Sequence, residues 1–154
     1  MQDLKGELKS IALEVNGFLS SYTKIHDGVF KFSWRKIIPL PFFFKKIDFK
    51  GLHTQATHII HGLEICNNRI ISGLNEITTK DKRLAYFLSE YCRALIYAVS
   101  LLKDILYQLH LKSENLYEHN LIEHKKLCNL YNKAIDKYYN MGSRLNELYS
   151  EFIQ

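Results

Sequence analysis

Four segments of the chain repeat hydrophobic residues every three or four positions, the spacing of a helix with one apolar face. The stripe of the first segment consists of Leu4, Leu8, Ile11, Val15, Phe18, Tyr22 and Ile25. That of the second consists of Leu52, Ala56, Ile59, Leu63, Cys66, Ile70, Leu74 and Ile77. The third is Leu84, Leu88, Tyr91, Leu95, Ala98, Leu102, Ile105 and Leu109, widened by Phe87, Ala94, Ile96 and Leu101. The fourth is Leu127, Leu130, Ala134, Tyr138, Met141, Leu145, Leu148 and Phe152. This pattern predicts four amphipathic helices, of which the third is the most buried.

The expected bounds of these helices are about 2–26, 52–78, 81–111 and 114–152. Thr78 and Ser113 are candidate N-caps for the third and fourth helices, and Gly142 is a point where the fourth helix is expected to loosen. Connections of a few residues require antiparallel neighbours, and a spacing close to seven residues favours shallow crossing angles. The sequence therefore predicts one all-α domain over 1–154, an antiparallel up-down four-helix bundle with an insert at 27–51.

Composition agrees with one globular domain, since the chain has 154 residues, 47% hydrophobic and 24% charged. Its longest apolar runs, 37–44 and 94–102, are far shorter than the roughly twenty residues that cross a bilayer, so we expect no transmembrane segment. The charged N-terminus lacks the apolar core of a signal peptide, which predicts a cytoplasmic protein. The cysteines are three and widely spaced, which favours reduced core residues over a disulfide or a zinc site.

Charge changes this picture because the formal net charge of +5 is concentrated in residues 31–50. The basic residues of this segment, which face Asp48 as the single acid, are Lys31, Arg35, Lys36, Lys45, Lys46 and Lys50. The rest of the chain is formally neutral. Trp34 and five of the nine phenylalanines lie in the same segment and Phe30 directly precedes it, so basic and aromatic residues are interleaved there. We call residues 31–50 the basic-aromatic segment.

Three interpretations of the basic-aromatic segment fit its composition. Its charges neutralise phosphates while Trp34 stacks on an unpaired base, as in single-stranded nucleic-acid sites. Alternatively it lies on an anionic membrane surface. In the third interpretation the aromatic residues cover one end of the bundle and the charges are simply solvated. Concentrating the whole excess charge in one segment favours an anionic partner, and Lys80, Lys82 and Arg83 form a candidate second basic patch.

Motifs for chemistry are missing from the sequence. It contains no Gly-x-Ser-x-Gly, no Walker lysine, no His-Glu-x-x-His and no glycine-rich phosphate turn. His58, His61 and Glu64 have a spacing that suits one helical face, but no Glu-x-x-His pair supports a metal site in a helical bundle. The cysteines lie on or beside apolar stripes, where burial disfavours the thiolate. We expect a protein without catalytic activity, metal or cofactor.

Order and spacing over about residues 51–139 resemble a family of small basic four-helix bundles. The matching positions are Gly51-Leu52, Gln55, Asn68, Ile70, Gly73, Lys80-Asp81-Lys82, Phe87-Leu88, Leu111-Lys112-Ser113, Tyr117, Leu127, Leu130 and Ile135. The family includes the proteins encoded by intervening sequences of 23S ribosomal RNA genes and the accessory variability determinant of diversity-generating retroelements. The resemblance implies a non-catalytic subunit that assembles as a ring, commonly a pentamer, and partners a reverse transcriptase and its RNA.

The leading hypothesis is therefore a nucleic-acid-binding accessory protein, with RNA favoured over DNA. Its candidate phosphate contacts are the six basic residues of the basic-aromatic segment, together with Lys80, Lys82 and Arg83, and its candidate stacking residue is Trp34. The alternative hypothesis is a small helical interaction protein of the immunity or inhibitor type. Such a protein would dock an acidic partner or a membrane surface through the aromatic residues of the segment.

Overall fold

The computed structural model describes residues 4–30, 47–114 and 121–154, and these form four helices. α1 spans Leu4–Phe30, α2 Phe49–Gly73, α3 Thr79–Ser113 and α4 Leu121–Ile153. No strand occurs in these three ranges. The prediction of an all-α four-helix bundle is confirmed.

Side-chain contacts join the early part of one helix to the late part of its neighbour in the chain. Arg69, near the end of α2, pairs with Glu7 and Glu14 in the first half of α1. Ser89 of α3 donates a hydrogen bond of 2.6 Å to the side-chain oxygen of Asn67, late in α2. His124, at the start of α4, lies 2.9 Å from the amide oxygen of Gln108, late in α3. These contacts are those expected of consecutive helices that run in opposite directions.

α3 forms the centre of the bundle and packs against the other three helices. It supplies nearly half of the buried hydrophobic side chains, and Leu95, Ala98, Val99, Leu102 and Leu106 are each 0% exposed. The expectation that the third helix is the most buried is confirmed. The same apolar composition gives α3 the length and hydropathy of a membrane span over Asp81–Ser113, but 44% of that window is buried inside the bundle. A central core helix meets this criterion as well as a membrane helix does.

Helix bounds differ from the prediction at the ends, where side-chain periodicity carries least information. α1 continues to Phe30, and α2 begins at Phe49 and ends at Gly73, so both ends of the predicted insert are helical. Leu74 and Ile77 follow α2 in the turn but still pack against the core. Gly142 does not loosen α4, which continues through it.

The predicted N-caps have different outcomes. Thr78 precedes α3, but its hydroxyl donates to the Asp81 carboxylate (2.8 Å) instead of capping the helix backbone. Ser113 is the last residue of α3 and its hydroxyl donates to the carbonyl of His110, so its assignment as N-cap of the fourth helix was wrong. A serine at a helix end satisfies a free carbonyl as readily as a free amide.

One residue of the predicted fourth stripe is also wrong. Leu130 is 46% exposed, whereas the next residue, Tyr131, is 1% exposed. Both positions keep the spacing from Leu127 to Ala134, because a helix accepts either three and four or four and three residues between stripe positions. The hydroxyl of Tyr131 has partners inside the bundle, described below, which a leucine at that position would lack.

Candidate nucleic-acid interface

The basic-aromatic segment joins α1 to α2 at the end of the bundle where α3 also terminates and α4 begins. Lys31, Trp34, Arg35, Lys36, Lys45 and Lys46 lie outside the described residues. Lys50 is described and is exposed in the first turn of α2. The structure therefore fixes the two points where the segment leaves and rejoins the bundle.

The point of departure is the last turn of α1, which aromatic contacts hold against α4. The Phe30 ring stacks on Tyr131 with 5.6 Å between centroids, and the His26 ring lies 4.8 Å from that of Phe30. His26 Nδ1 lies 2.8 Å from the Tyr131 hydroxyl oxygen, which lies 2.7 Å from the hydroxyl oxygen of Tyr22. We call Tyr22, His26, Phe30 and Tyr131 the aromatic anchor.

Burial keeps the phenols of the aromatic anchor neutral. It raises the pKa of Tyr22 and, as the largest influence, that of Tyr131 too, although the hydrogen bond with Tyr22 lowers the latter. The anchor is therefore a hydrogen-bonded structural contact at neutral pH. Periodicity placed Tyr22 in a core stripe but missed Tyr131, for which the signal was the alternative spacing Leu127, Tyr131, Ala134 and Tyr138.

The point of return is the N-terminus of α2. Asp48 caps this helix by accepting a hydrogen bond of 2.9 Å from the backbone amide of Gly51. A Cβ at Gly51 would collide with the Asp48 carboxylate, so glycine permits the close approach of the cap. Phe49 packs against the core. The single acid of the basic-aromatic segment thus has a structural role as the cap of α2.

The candidate second patch lies at the opposite end of the bundle. Lys80, Lys82 and Arg83 belong to the first turns of α3, which are separated from Lys50 by the length of α2. That helix has 25 residues, or about 37 Å at the usual rise per residue. Arg83 lines a shallow pocket together with Asp81 and Glu151. The structure thus places Lys50 and the second patch at opposite ends of α2.

Among the groups that could carry other chemistry, Cys128 Sγ lies 3.6 Å from Nε2 of His124. No three or more histidine, cysteine, aspartate or glutamate side chains among residues 4–30, 47–114 and 121–154 are placed to hold a metal ion. Burial raises the pKa of the Cys66 thiol to about 11 and that of Cys92 to about 12, and it also raises that of Cys128. The prediction that the thiolates are disfavoured is confirmed.

A groove between α1 and α4 was not anticipated from the sequence. No Cα atom of α1 approaches a Cα atom of α4 within 8 Å in the described residues. The two helices meet through the aromatic anchor and, near the other end, where the Lys5 ammonium lies 4.9 Å from the centre of the Phe152 ring. Between these contacts a cavity of about 300 Å³ opens, with Leu84, Leu88 and Tyr91 of α3 among its lining residues.

Comparisons of the chain with models of known protein families, with curated proteins and with solved structures found no match.

Proposed function

We propose that the protein is a non-catalytic nucleic-acid-binding accessory protein that prefers RNA. The observation that carries this proposal is the concentration of the whole formal net charge in one segment attached to one end of a neutral helical bundle. Lysine and arginine residues neutralise backbone phosphates, and the release of condensed counterions supplies much of the affinity. Interleaved aromatic residues add stacking on unpaired bases, which are common in folded RNA.

The described surface around this end supports assigning the affinity to the basic-aromatic segment itself. Basic and acidic residues alternate on the neighbouring turns, as in the pairs Lys103 with Asp104, Lys112 with Glu114 and Glu123 with Lys125. Their charges largely cancel beyond a Debye length of about 8 Å. The segment is where uncompensated positive charge is available to a phosphate backbone.

Binding of a fluorescently labelled oligouridylate, followed by anisotropy across a salt series, tests the proposal. Two triple variants replace basic residues by glutamine, Lys31/Arg35/Lys36 in one and Lys45/Lys46/Lys50 in the other. A control with the same charge change replaces the exposed residues Lys9, Lys133 and Lys137 of α1 and α4. We expect each segment variant to flatten the slope of log affinity against log salt by about 0.7 for every phosphate interaction that it removes, and the control to leave the slope unchanged.

A third triple variant, with glutamine at Lys80, Lys82 and Arg83, compares the two basic patches. Because Asp81 and Glu151 lie beside Arg83, we expect a smaller loss of affinity than in either segment variant. Equal losses in all four triple variants would mean that RNA senses only the net charge, and would contradict a site in the segment.

Trp34→Ala tests stacking separately from charge. If a base stacks on the indole, the variant loses about 1–3 kcal/mol of binding free energy while its melting temperature stays the same. A lower melting temperature with unchanged affinity would make Trp34 a structural residue. Binding to a partner that is insensitive to salt but abolished in Trp34→Ala would favour the alternative of an aromatic docking protein.

Assembly and partnership with a reverse transcriptase rest on the family resemblance. We propose a homo-oligomer, with a pentameric ring as the expected form. Several large side chains on α2 and α3 remain available for such contacts, since Ile65, Ile71, Tyr86, Tyr97 and Tyr107 are 42–58% exposed. Light scattering coupled to size-exclusion chromatography measures the mass directly, and a monomer at tens of micromolar would exclude the ring.

A further inference from the structure

We infer that the groove between α1 and α4 binds a small, uncharged and mostly apolar molecule that carries one hydrogen-bonding group. The inference does not depend on nucleic-acid binding, because the groove is enclosed by α1, α3 and α4, away from the point where the basic-aromatic segment rejoins α2. It rests on the shape of the groove, on the chemistry of its lining and on one hydroxyl that faces the groove.

The groove exists because its two contact points hold α1 and α4 apart. At one end the tyrosines of the aromatic anchor span the distance between the helices, and at the other the Lys5 side chain reaches over the Phe152 ring. Between them α1 presents residues 12–19 and α4 presents residues 142–149 to the same space. Gly142 leaves the groove open on the α4 side, because it has no side chain that would project into it. The groove therefore results from the way in which α1 and α4 contact each other only near its two ends.

The lining contains no carboxylate and no lysine, arginine or histidine, which selects an uncharged ligand. Its walls and floor are mainly alanine, valine and leucine, with the amides of Asn16 and Asn146 as polar groups on α1 and α4. An engineered protein cavity of about 150 Å³ holds benzene. A volume of about 300 Å³ suits a ligand with two fused rings or a short branched chain.

The hydroxyl of Tyr91 supplies the polar partner. Tyr91 lines the groove and is 4% exposed, yet its hydroxyl has no hydrogen-bond partner among the described residues. No side-chain oxygen or nitrogen that is fully shut off from solvent lacks a partner in that part of the chain, so this hydroxyl is reached through the groove. A Cβ placed on Gly142 would lie 3.8 Å from the hydroxyl oxygen, which puts this atom beside the open wall. A hydroxyl that faces the groove without a protein partner can donate a hydrogen bond to a ligand there or accept one from it.

Two probes that differ by one hydroxyl group test the inference with the full-length protein. Calorimetric or fluorescence titration with 2-naphthol and with naphthalene measures binding of the same rings with and without a hydrogen-bonding group. We expect both to bind, and 2-naphthol to bind more tightly. In Tyr91→Phe the affinity for 2-naphthol should fall about 2- to 10-fold, the usual worth of one hydrogen bond, while that for naphthalene stays the same.

Gly142→Met locates the binding site, because its side chain enters the groove from the open wall. It should abolish binding of both probes without lowering the melting temperature. Gly17→Met is the matched control, since a Cβ at Gly17 meets nothing within 4 Å and the residue lies on the exposed face of α1. It should bind both probes as the unmodified protein does.

Three outcomes would overturn the inference. One is that neither probe binds up to its solubility. Another is that Gly142→Met binds both probes normally, which would place them elsewhere on the protein. The third is that Gly142→Met dissociates an oligomer while no probe binds, which would make the groove an interface between copies of the chain.

Discussion

The two sides of the bundle are closed in different ways. On one side α2 and α3 pack directly through small and branched side chains, including Ala56, Leu63 and Ala85, each 0% exposed. On the other side α1 and α4 touch through Tyr22, His26 and Tyr131 and through Lys5 over Phe152. Direct packing fills its interface, whereas long polar side chains hold two helices apart and leave space between them. The stability of the bundle should therefore come mainly from the side of α2 and α3, and its accessible cavity from the side of α1 and α4.

Leucine-to-alanine substitutions should give the largest difference in stability between the two sides of the bundle. We expect Leu63→Ala in α2 to lower the free energy of unfolding by about 2–5 kcal/mol, because its side chain is 0% exposed and its removal leaves a cavity. Leu145→Ala should cost about 1 kcal/mol, because this half-buried residue already borders an open groove. Urea denaturation measures both. Equal losses would show that the seam between α1 and α4 is as densely packed as the core.

Replacing glycine by alanine should change the free energy of unfolding in opposite directions at the contact of α2 with α1 and at the groove. A Cβ on Gly62 would overlap the Phe18 ring, so Gly62→Ala should destabilise the protein by about 1–3 kcal/mol. At Gly142 the nearest atom, Tyr91 Cε2, is 3.6 Å away, an ordinary contact. Gly142→Ala should therefore stabilise the protein by about 0.5–1 kcal/mol through its higher helix propensity. Thermal denaturation of the two variants provides the comparison, and a loss at Gly142 would argue against an open groove.

Removal of one hydroxyl should test the aromatic anchor. Tyr131→Phe removes the shared partner of the Tyr22 hydroxyl and His26 Nδ1, and the buried Tyr22 hydroxyl then lacks one of its hydrogen bonds. We expect a loss of about 1–3 kcal/mol in chemical denaturation. Tyr139→Phe is the control, because Tyr139 is 72% exposed and its hydroxyl is solvated. If the two variants unfold at the same urea concentration, the anchor contributes nothing beyond the packing of its rings.

The ion pairs between α1 and α2 should give the smallest effect, visible mainly in its pH dependence. The Arg69 guanidinium hydrogen-bonds to Glu14 and lowers the pKa of that carboxyl below its ordinary value of 4.5. A lowered pKa stabilises the folded state above the ordinary value, and this contribution disappears as the pH falls through the folded-state value. Both side chains are partly exposed, so Arg69→Gln should cost about 0.2–1 kcal/mol at neutral pH.

Melting temperatures between about pH 5 and pH 3 measure this contribution. Arg69→Gln should lose less stability over the interval than the unmodified protein does. Arg93→Gln is the control with the same charge change, since its pair with Glu90 lies within one helix and both side chains are more than half exposed. Identical acid profiles for Arg69→Gln and the unmodified protein would contradict the assignment.

The sequence by itself determined the class of fold, the central place of α3 and most of the core. These follow from local periodicity, because residues on one stripe of a helix must find an apolar neighbour wherever the other helices lie. The charge distribution that motivates the nucleic-acid proposal is likewise a property of the sequence. The helix ends were predicted less accurately, as at Phe30 and Gly73. The last turn of a helix depends on capping and tertiary contacts as well as on periodicity.

Only the tertiary structure decided which side chains close the seam between α1 and α4. Leu130 and Tyr131 fit the local spacing equally well, and the choice depends on Tyr22 and His26, which are more than a hundred positions away in the chain. The groove and the unpartnered hydroxyl of Tyr91 depend on the distance between two helices, which no local pattern encodes. The fold likewise decided the separation of Lys50 from Arg83 along the length of α2. The sequence shows how many charges a segment carries, but the distance between two charges depends on the tertiary structure.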